Sequence, residues 1–75
     1  MNNSRRKEIK DIVSRLEDCQ NDLESVISDE EDVMYNLEEK FSETERYQNI
    51  CDIVDNLNSA NDILSDAIRS LNSYE

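Results

Sequence analysis

Carboxylates are the side chains of this sequence with the clearest chemical potential, since 19 of its 75 residues are Asp or Glu and none is His. Carboxylate pairs act as general acids and bases only in a dry, concave site. The segment DIVDNLNSANDILSD, residues 52–66, lacks the central glycine and the spacing of a calcium-binding loop. We therefore expect a protein that is not an enzyme and that uses no metal or other cofactor.

The sequence also contains two cysteines, Cys19 and Cys51, whose thiols could form a disulfide or bind a metal. Both fall on apolar stripes of the sequence, where a free thiol packs as a small hydrophobic group. With two cysteines and no histidine, the usual zinc-site spacings are absent. A structural disulfide is not expected in a cytoplasmic protein.

The net charge of −11 restricts the partners of the chain. Such a chain should repel nucleic acid and anionic membranes and should be attracted to basic surfaces. No apolar run approaches the ~18 residues of a membrane span, and the polar N-terminal segment lacks the apolar core of a signal peptide. The sequence predicts a cytoplasmic protein, although acidity alone would also fit disorder or plain solubility.

Apolar residues recur in steps of three and four along two segments, which is typical of helices that pack against other helices. The first series runs from Ile9 to Leu37 with a polar gap at Glu30, and the second runs from Tyr47 to Leu71 with a gap at Asn61. The residues predicted to form the core of the hairpin or of a dimer are Ile12, Leu16, Leu23, Val26, Val33, Leu37, Ile50, Val54, Leu57, Leu64, Ile68 and Leu71.

These two series predict an all-α fold, a single coiled-coil-like antiparallel two-helix hairpin over residues 1–75. The expected elements are a helix at about 5–39, a turn at about 39–43 and a helix at about 43–73. Ser42 and Glu45 have the spacing of a capping box, and Phe41 could cover the end of the hairpin. A break at 28–31, which has the same cap spacing, is the less favoured alternative because the apolar phase continues through it.

The hairpin predicts that facing residues have numbers that add to about 82, which places Asn61 near Gln20 and Asn21. A buried polar layer could fix the register there. Alternatively, Asn61 points to solvent. Each apolar stripe is wider than one partner helix can cover. The first is widened by Val13, Ile27 and Met34, and the second by Ile53, Ile63 and Ala67. We therefore expect a homodimer that forms a four-helix bundle, or else a hairpin that docks on its target.

The charges are divided between the two ends of the predicted hairpin. Five of the eight basic residues lie within residues 5–15, whereas residues 29–45 hold eight acids against Lys40. This distribution opposes the macrodipole of the first helix, which favours acids at its start. Both clusters could be mere solvated ends. The candidate partner-binding residues at the acidic end are Asp29, Glu31, Asp32, Glu38, Glu39, Glu43 and Glu45.

Regularly spaced acids on a helix can occupy a protein site built for nucleic acid, because carboxylates one turn apart repeat every ~5–6 Å, close to the spacing of phosphates. Two rows of acids are candidates for such a surface. The first is Glu17, Asp18, Asp22, Glu24, Asp29 and Asp32, and the second is Asp52, Asp55, Asp62 and Asp66.

The chain resembles a family of small acidic helical proteins of bacteriophages, prophages and Gram-positive bacteria. The resemblance rests on the basic stretch 5–7, on the Asn-Leu-Glu-Glu segment 36–39, on Thr-Glu-Arg-Tyr at 44–47 and on the helix-like segment 55–71. Members tend to have a proline where this chain has Glu38, so the first helix is expected to run a turn further here. The resemblance implies a small accessory protein, of a kind often used to disable host machinery.

Three hypotheses of function follow from the sequence. The first is a phage-encoded interaction protein that acts in the host cytoplasm and inhibits a host or defence protein by binding its basic, nucleic-acid-binding surface. The second is a self-assembling structural bundle whose acids serve only solubility. The third, which repulsion by the 19 acids opposes, gives the basic residues 5–10 a role on phosphate or anionic lipid.

Overall fold

The structure, a computed structural model, is an all-α hairpin, as the sequence predicts. It describes residues 1–41 and 43–74, without the side chain of Phe41. Helix α1 spans Asn3–Phe41 and helix α2 spans Glu45–Asn72, and the two pack against each other along their length. The molecule measures 57 × 15 × 12 Å. None of the helices in the described part of the chain is both long and apolar enough to cross a membrane.

The turn of the hairpin lies later in the chain than predicted. Residues 39–41 are helical, and α2 begins at Glu45, capped by Thr44 in an extended conformation. The Thr44 hydroxyl accepts a hydrogen bond from the Tyr47 N–H at 3.2 Å. No glycine or proline lies in this region, so the sequence contains no strong signal that would end α1 at residue 39. The predicted cap Ser42 and the packing of the Phe41 side chain lie outside the described residues.

Helix α1 is continuous through residues 28–31, so the alternative break at this position is wrong. The segment carries four consecutive acidic or capping residues, yet it contains no helix-breaking residue. Its apolar neighbours keep the same helical phase on both sides, and burial of that face against α2 holds the segment helical.

The residues at which the two helices meet, which we call the seam, follow a heptad pattern. Each of them is buried or half-buried. The α2 side consists of the residues of the second predicted series together with Asn61. The α1 side is shifted from the first predicted series, because Val13 and Ile27 are 3% and 5% exposed whereas Ile12, Val26 and Val33 are exposed. The α1 seam is Ile9, Val13, Leu16, Gln20, Leu23, Ile27, Glu30, Met34 and Leu37.

Side-chain hydrogen bonds across the seam fix the register of the hairpin. Gln20 Nε2 donates to Ser65 Oγ at 2.6 Å and, at 3.5 Å, to the backbone carbonyl of Asn61. The residue numbers of these pairs add to 85 and 81, close to the predicted 82. Gln20 and Asn61 therefore meet in a half-buried polar layer, as predicted, while Asn21 is exposed.

Candidate functional site

The seven predicted partner-binding acids lie together at the turn end of the hairpin. Five of them are on the last turns of α1, Glu43 is in the connection and Glu45 opens α2. All are exposed except the half-buried Glu31. The ion pairs among the described residues, Arg15–Asp11 and Arg69–Asp66, are elsewhere. The acidic end thus presents mostly exposed carboxylates, away from the ion pairs of the described residues.

Four glutamates of α1 form a regular row that the sequence reading did not separate from the other acids. Glu17, Glu24, Glu31 and Glu38 recur every seven residues, about 10.5 Å apart at 1.5 Å per residue. They follow the seam residues Leu16, Leu23, Glu30 and Leu37 in the chain and lie along one edge of the seam. We call this row, Glu17, Glu24, Glu31 and Glu38, the acidic strip.

The first predicted row of acids does not form a single surface. Asp22 and Asp29 precede seam residues Leu23 and Glu30, which places them on the side of α1 away from the acidic strip. Glu17 and Glu24 belong to the strip, whereas Asp18 and Asp32 lie about 100° further around the helix, on its outward side. The second predicted row, Asp52, Asp55, Asp62 and Asp66, occupies adjacent columns on the outer surface of α2 and is exposed throughout.

The opposite edge of the seam is apolar on both helices. On α1, residues 12, 19, 26 and 33 repeat every seven residues, and on α2 residues 53, 60 and 67 do so. Each of these residues immediately precedes a seam residue, and the seam residues that they precede occupy equivalent heptad positions on the two helices. In an antiparallel pair such positions lie on the same side, because a two-fold axis perpendicular to the helices relates them. We call this surface the apolar face: Ile12, Cys19, Val26, Val33, Ile53, Ala60 and Ala67.

The apolar face is more exposed than the opposite edge of the seam, which carries the acidic strip. On the apolar face, every residue but Ala67 is exposed, with Val26 at 49% and Ile53 at 45%. On the other edge, Glu31, Cys51 and Ser65 are half-buried. Within one chain, the hairpin therefore leaves its more apolar edge in water, although apolar surface gains the most from burial.

The polar layer at Gln20 contains an unsatisfied atom. Asn61 Oδ1 is buried and makes no hydrogen bond to any described residue. Its neighbour in the layer, Ser65, takes the hydrogen bond of Gln20 instead. Gln20 was predicted in this layer, whereas Ser65 was not, although it could have been found because it falls beside the seam once the heptad phase is known.

Tyr47 and Cys51 form a second contact near the turn, one helical turn apart on α2. The pKa of the Tyr47 phenol lies above its ordinary value of 10.0, chiefly because of a side-chain hydrogen bond with Cys51, with smaller effects of desolvation and of nearby charges that include Glu38. Cys51 is half-buried and Cys19 is exposed, and both are free thiols. The Glu38 effect agrees with a position of the acidic strip on the Cys51 side of the hairpin.

Neither a metal centre nor an enclosed cavity stands out. No group of three or more Cys, Asp or Glu side chains in the described ranges is arranged to hold a metal ion. An open groove of about 330 Å³ runs along the first turns of α1, lined by Asn3, Arg6, Lys7 and Lys10. It lies on one helix and its four lining residues are exposed, so it offers no buried polar group to define a ligand site.

Comparison with protein-family models, with curated proteins and with solved structures finds no match to this chain.

Proposed function

We propose that this chain is a small acidic interaction module whose turn end binds the basic, nucleic-acid-binding surface of another protein. The observation that carries the proposal is the set of carboxylates at that end, the exposed Asp29, Asp32, Glu38, Glu39, Glu43 and Glu45 with the half-buried Glu31, while the two ion pairs of the described residues lie elsewhere. The resemblance of the sequence to phage and prophage proteins supports a role as an inhibitor that acts in a host cytoplasm.

Charge density at one end, and not only total charge, supports a directed contact. Residues 29–55, about a third of the chain and the part nearest the turn, contain ten acids and two bases, a net charge of −8 out of −11. A rod with such an asymmetric field orients as it approaches a basic surface, because the potential at its turn end is the most negative. Direct binding to nucleic acid is opposed by the same field.

A matched pair of charge-neutralised variants tests this proposal. In the first variant, Glu38, Glu39, Glu43 and Glu45 are changed to glutamine. In the second, Glu17→Gln, Asp18→Asn, Glu24→Gln and Asp62→Asn remove the same number of charges elsewhere. Because exposed ion pairs contribute roughly 0.2–1 kcal/mol each, we expect the first variant to bind an immobilised arginine-rich helical peptide about tenfold more weakly than the second.

The measurement is the dissociation constant at two salt concentrations, with circular dichroism to show that both variants remain helical. Binding by the native chain should weaken as salt rises. Equal losses in the two variants would show that net charge alone governs binding. That result would favour the second candidate function, a structural bundle whose acids provide solubility.

We also propose that the module acts as a homodimer that forms a four-helix bundle. The hairpin buries only three apolar side chains among the described residues, Val13, Ile27 and Val54. Its accessible surface is 5714 Å², whereas a compact monomer of 8.8 kDa exposes about 4,800 Å². The difference, roughly 900 Å², is close to the ~800 Å² that each partner buries in a standard interface.

A further inference from the structure

We propose that the apolar face receives a second copy of the chain, and that the two hairpins pack antiparallel, with their turns at opposite ends of the bundle. This inference rests on the proposed homodimer and specifies its interface and orientation. The occupant is a second copy because the excess accessible surface of the hairpin over a compact monomer is close to what each partner buries in a standard interface, and because the charges of the two ends complement each other.

The position of the apolar face makes it the surface for this contact. It runs along most of α1, from Ile12 to Val33, and along the adjoining part of α2, from Ile53 to Ala67. The column beside it on α2 is Asn49, Asn56, Ile63 and Ser70, which carries no charge. Ile63 is 68% exposed and enlarges the apolar area. The acidic strip and the outer acids of α2 lie on other sides and stay in solvent.

Two orientations bring one apolar face against another with two-fold symmetry. If the two-fold axis runs along the bundle, both turns lie at the same end, and each α1 covers α2 of the second copy. If the axis is perpendicular to the bundle, the turns lie at opposite ends, and α1 covers α1. The two arrangements bury the same face, so electrostatics must distinguish them.

Charge favours the arrangement with the turns apart. Adjacent turns would bring together two ends of net charge −8, which costs free energy at the short distances of a packed bundle. With the turns apart, residues 5–10 of one copy, which carry four bases and one acid, lie beside the acidic end of the other. This contact gives a role to the basic residues that oppose the macrodipole of α1.

The apolar residues of α1 also fit this orientation. They are symmetric about a point between residues 22 and 23, so in the antiparallel register Ile12 meets Val33 of the second copy and Cys19 meets Val26. That register overlaps the whole of α1, since the midpoint of Asn3–Phe41 is residue 22. The same register places Arg15 of one copy near Asp29 of the other, and it places the two copies of Asp22 near each other.

The first experiment measures the solution mass of the full chain and of two variants. The native chain should have twice the 8.8 kDa mass of the monomer. Val26→Glu should reduce the mass to that of the monomer, while Tyr35→Glu, which changes a similarly exposed residue off the apolar face, should leave the dimer intact. Both residues are exposed in the hairpin, so circular dichroism should show unchanged helix content. A monomeric native chain, or a dimer that survives Val26→Glu, would overturn the proposal.

The second experiment measures orientation with a spin label at Glu43→Cys, in a chain that also carries Cys19→Val and Cys51→Ala. Turns at opposite ends place the two labels of a dimer at nearly the 57 Å length of the hairpin. Turns at the same end would place them within about 20 Å, two helix diameters, and would refute the antiparallel arrangement. Neither experiment involves a basic partner, so each can fail independently of the binding proposal.

A third measurement checks the register through Asp22. Asp22→Asn should tighten the dimer several-fold, because it removes a pair of like charges near the two-fold axis, whereas Asp18→Asn removes an outward charge and should have the smaller effect. With the turns together, Asp22 would face the uncharged column of α2, and the two variants would behave alike. The dissociation constants from sedimentation equilibrium decide between these results.

Discussion

Asn61 is the residue of the seam whose side chain is least satisfied. Its Oδ1 atom is buried without a hydrogen bond to the described residues, in a layer where Gln20 donates to Ser65. An unpaired buried polar atom costs about 1–3 kcal/mol of stability. A polar residue at a seam position nevertheless specifies register, because other alignments of the helices would bury it against apolar residues. Asn61 thus lowers stability while it helps to define the alignment.

Replacing Asn61 with leucine should raise the free energy of unfolding by about 1–3 kcal/mol, since it removes the unpaired atom and adds apolar burial. Urea denaturation at fixed protein concentration measures the change. Asn58→Leu is the matched control, because Asn58 is an exposed asparagine on the same helix. A loss of stability in Asn61→Leu would mean that Oδ1 makes a favourable interaction in solution.

The start of α2 is supported by its own sequence in two ways. Thr44 provides the side-chain cap, and Glu45 places an acid in the first turn, where it interacts favourably with the helix dipole. Helix α1 has no acid in its first turn, although Asn2 Oδ1 accepts a hydrogen bond from the Arg5 N–H at 2.8 Å. The two helices therefore differ in how well their own sequences support their N-terminal ends.

Thr44→Ala should lower the free energy of unfolding by about 1 kcal/mol, because the Tyr47 N–H loses its acceptor. Thr44→Ser retains a hydroxyl and should retain most of that stability. Chemical denaturation of both variants provides the comparison. If serine proved as damaging as alanine, the role of Thr44 would lie in its methyl group and not in the hydrogen bond.

As a whole, the molecule is a thin rod with a net charge of −11 and few buried side chains. Like charges on such a rod repel one another in the folded state and are further apart in the unfolded chain. Salt screens this repulsion, since the Debye length falls from about 30 Å at 0.01 M to about 8 Å at 0.15 M ionic strength. The fold and the proposed binding function should therefore respond to salt in opposite directions.

We expect the thermal unfolding midpoint to rise between these two salt concentrations, while binding of an arginine-rich peptide weakens. Circular dichroism at fixed protein concentration measures the first effect. A neutral osmolyte at equal osmolality serves as the control, because it leaves charge repulsion unscreened. A midpoint that falls with added salt would show that favourable ion pairs outweigh the net repulsion.

By itself, the sequence determined the two helices and their antiparallel pairing. Apolar steps of three and four residues from Ile9 to Leu37 and from Tyr47 to Leu71 require two amphipathic helices, and their similar lengths fit a hairpin. It also placed Gln20 opposite Asn61, since the register follows from the position of the turn. The position of the turn itself was predicted within a few residues, because no glycine or proline marks it.

Two columns of apolar residues lie on either side of Leu16, Leu23 and Leu37 on α1, and only the tertiary structure decided which of them faces α2. Ile12, Val26 and Val33 and their neighbours Val13, Ile27 and Met34 are all apolar, so periodicity permits either column in the seam. Packing against α2 places the second set in the seam and leaves the first exposed. The physical reason is that one partner helix covers only a narrow stripe, so a wider stripe keeps one edge free until a further surface covers it.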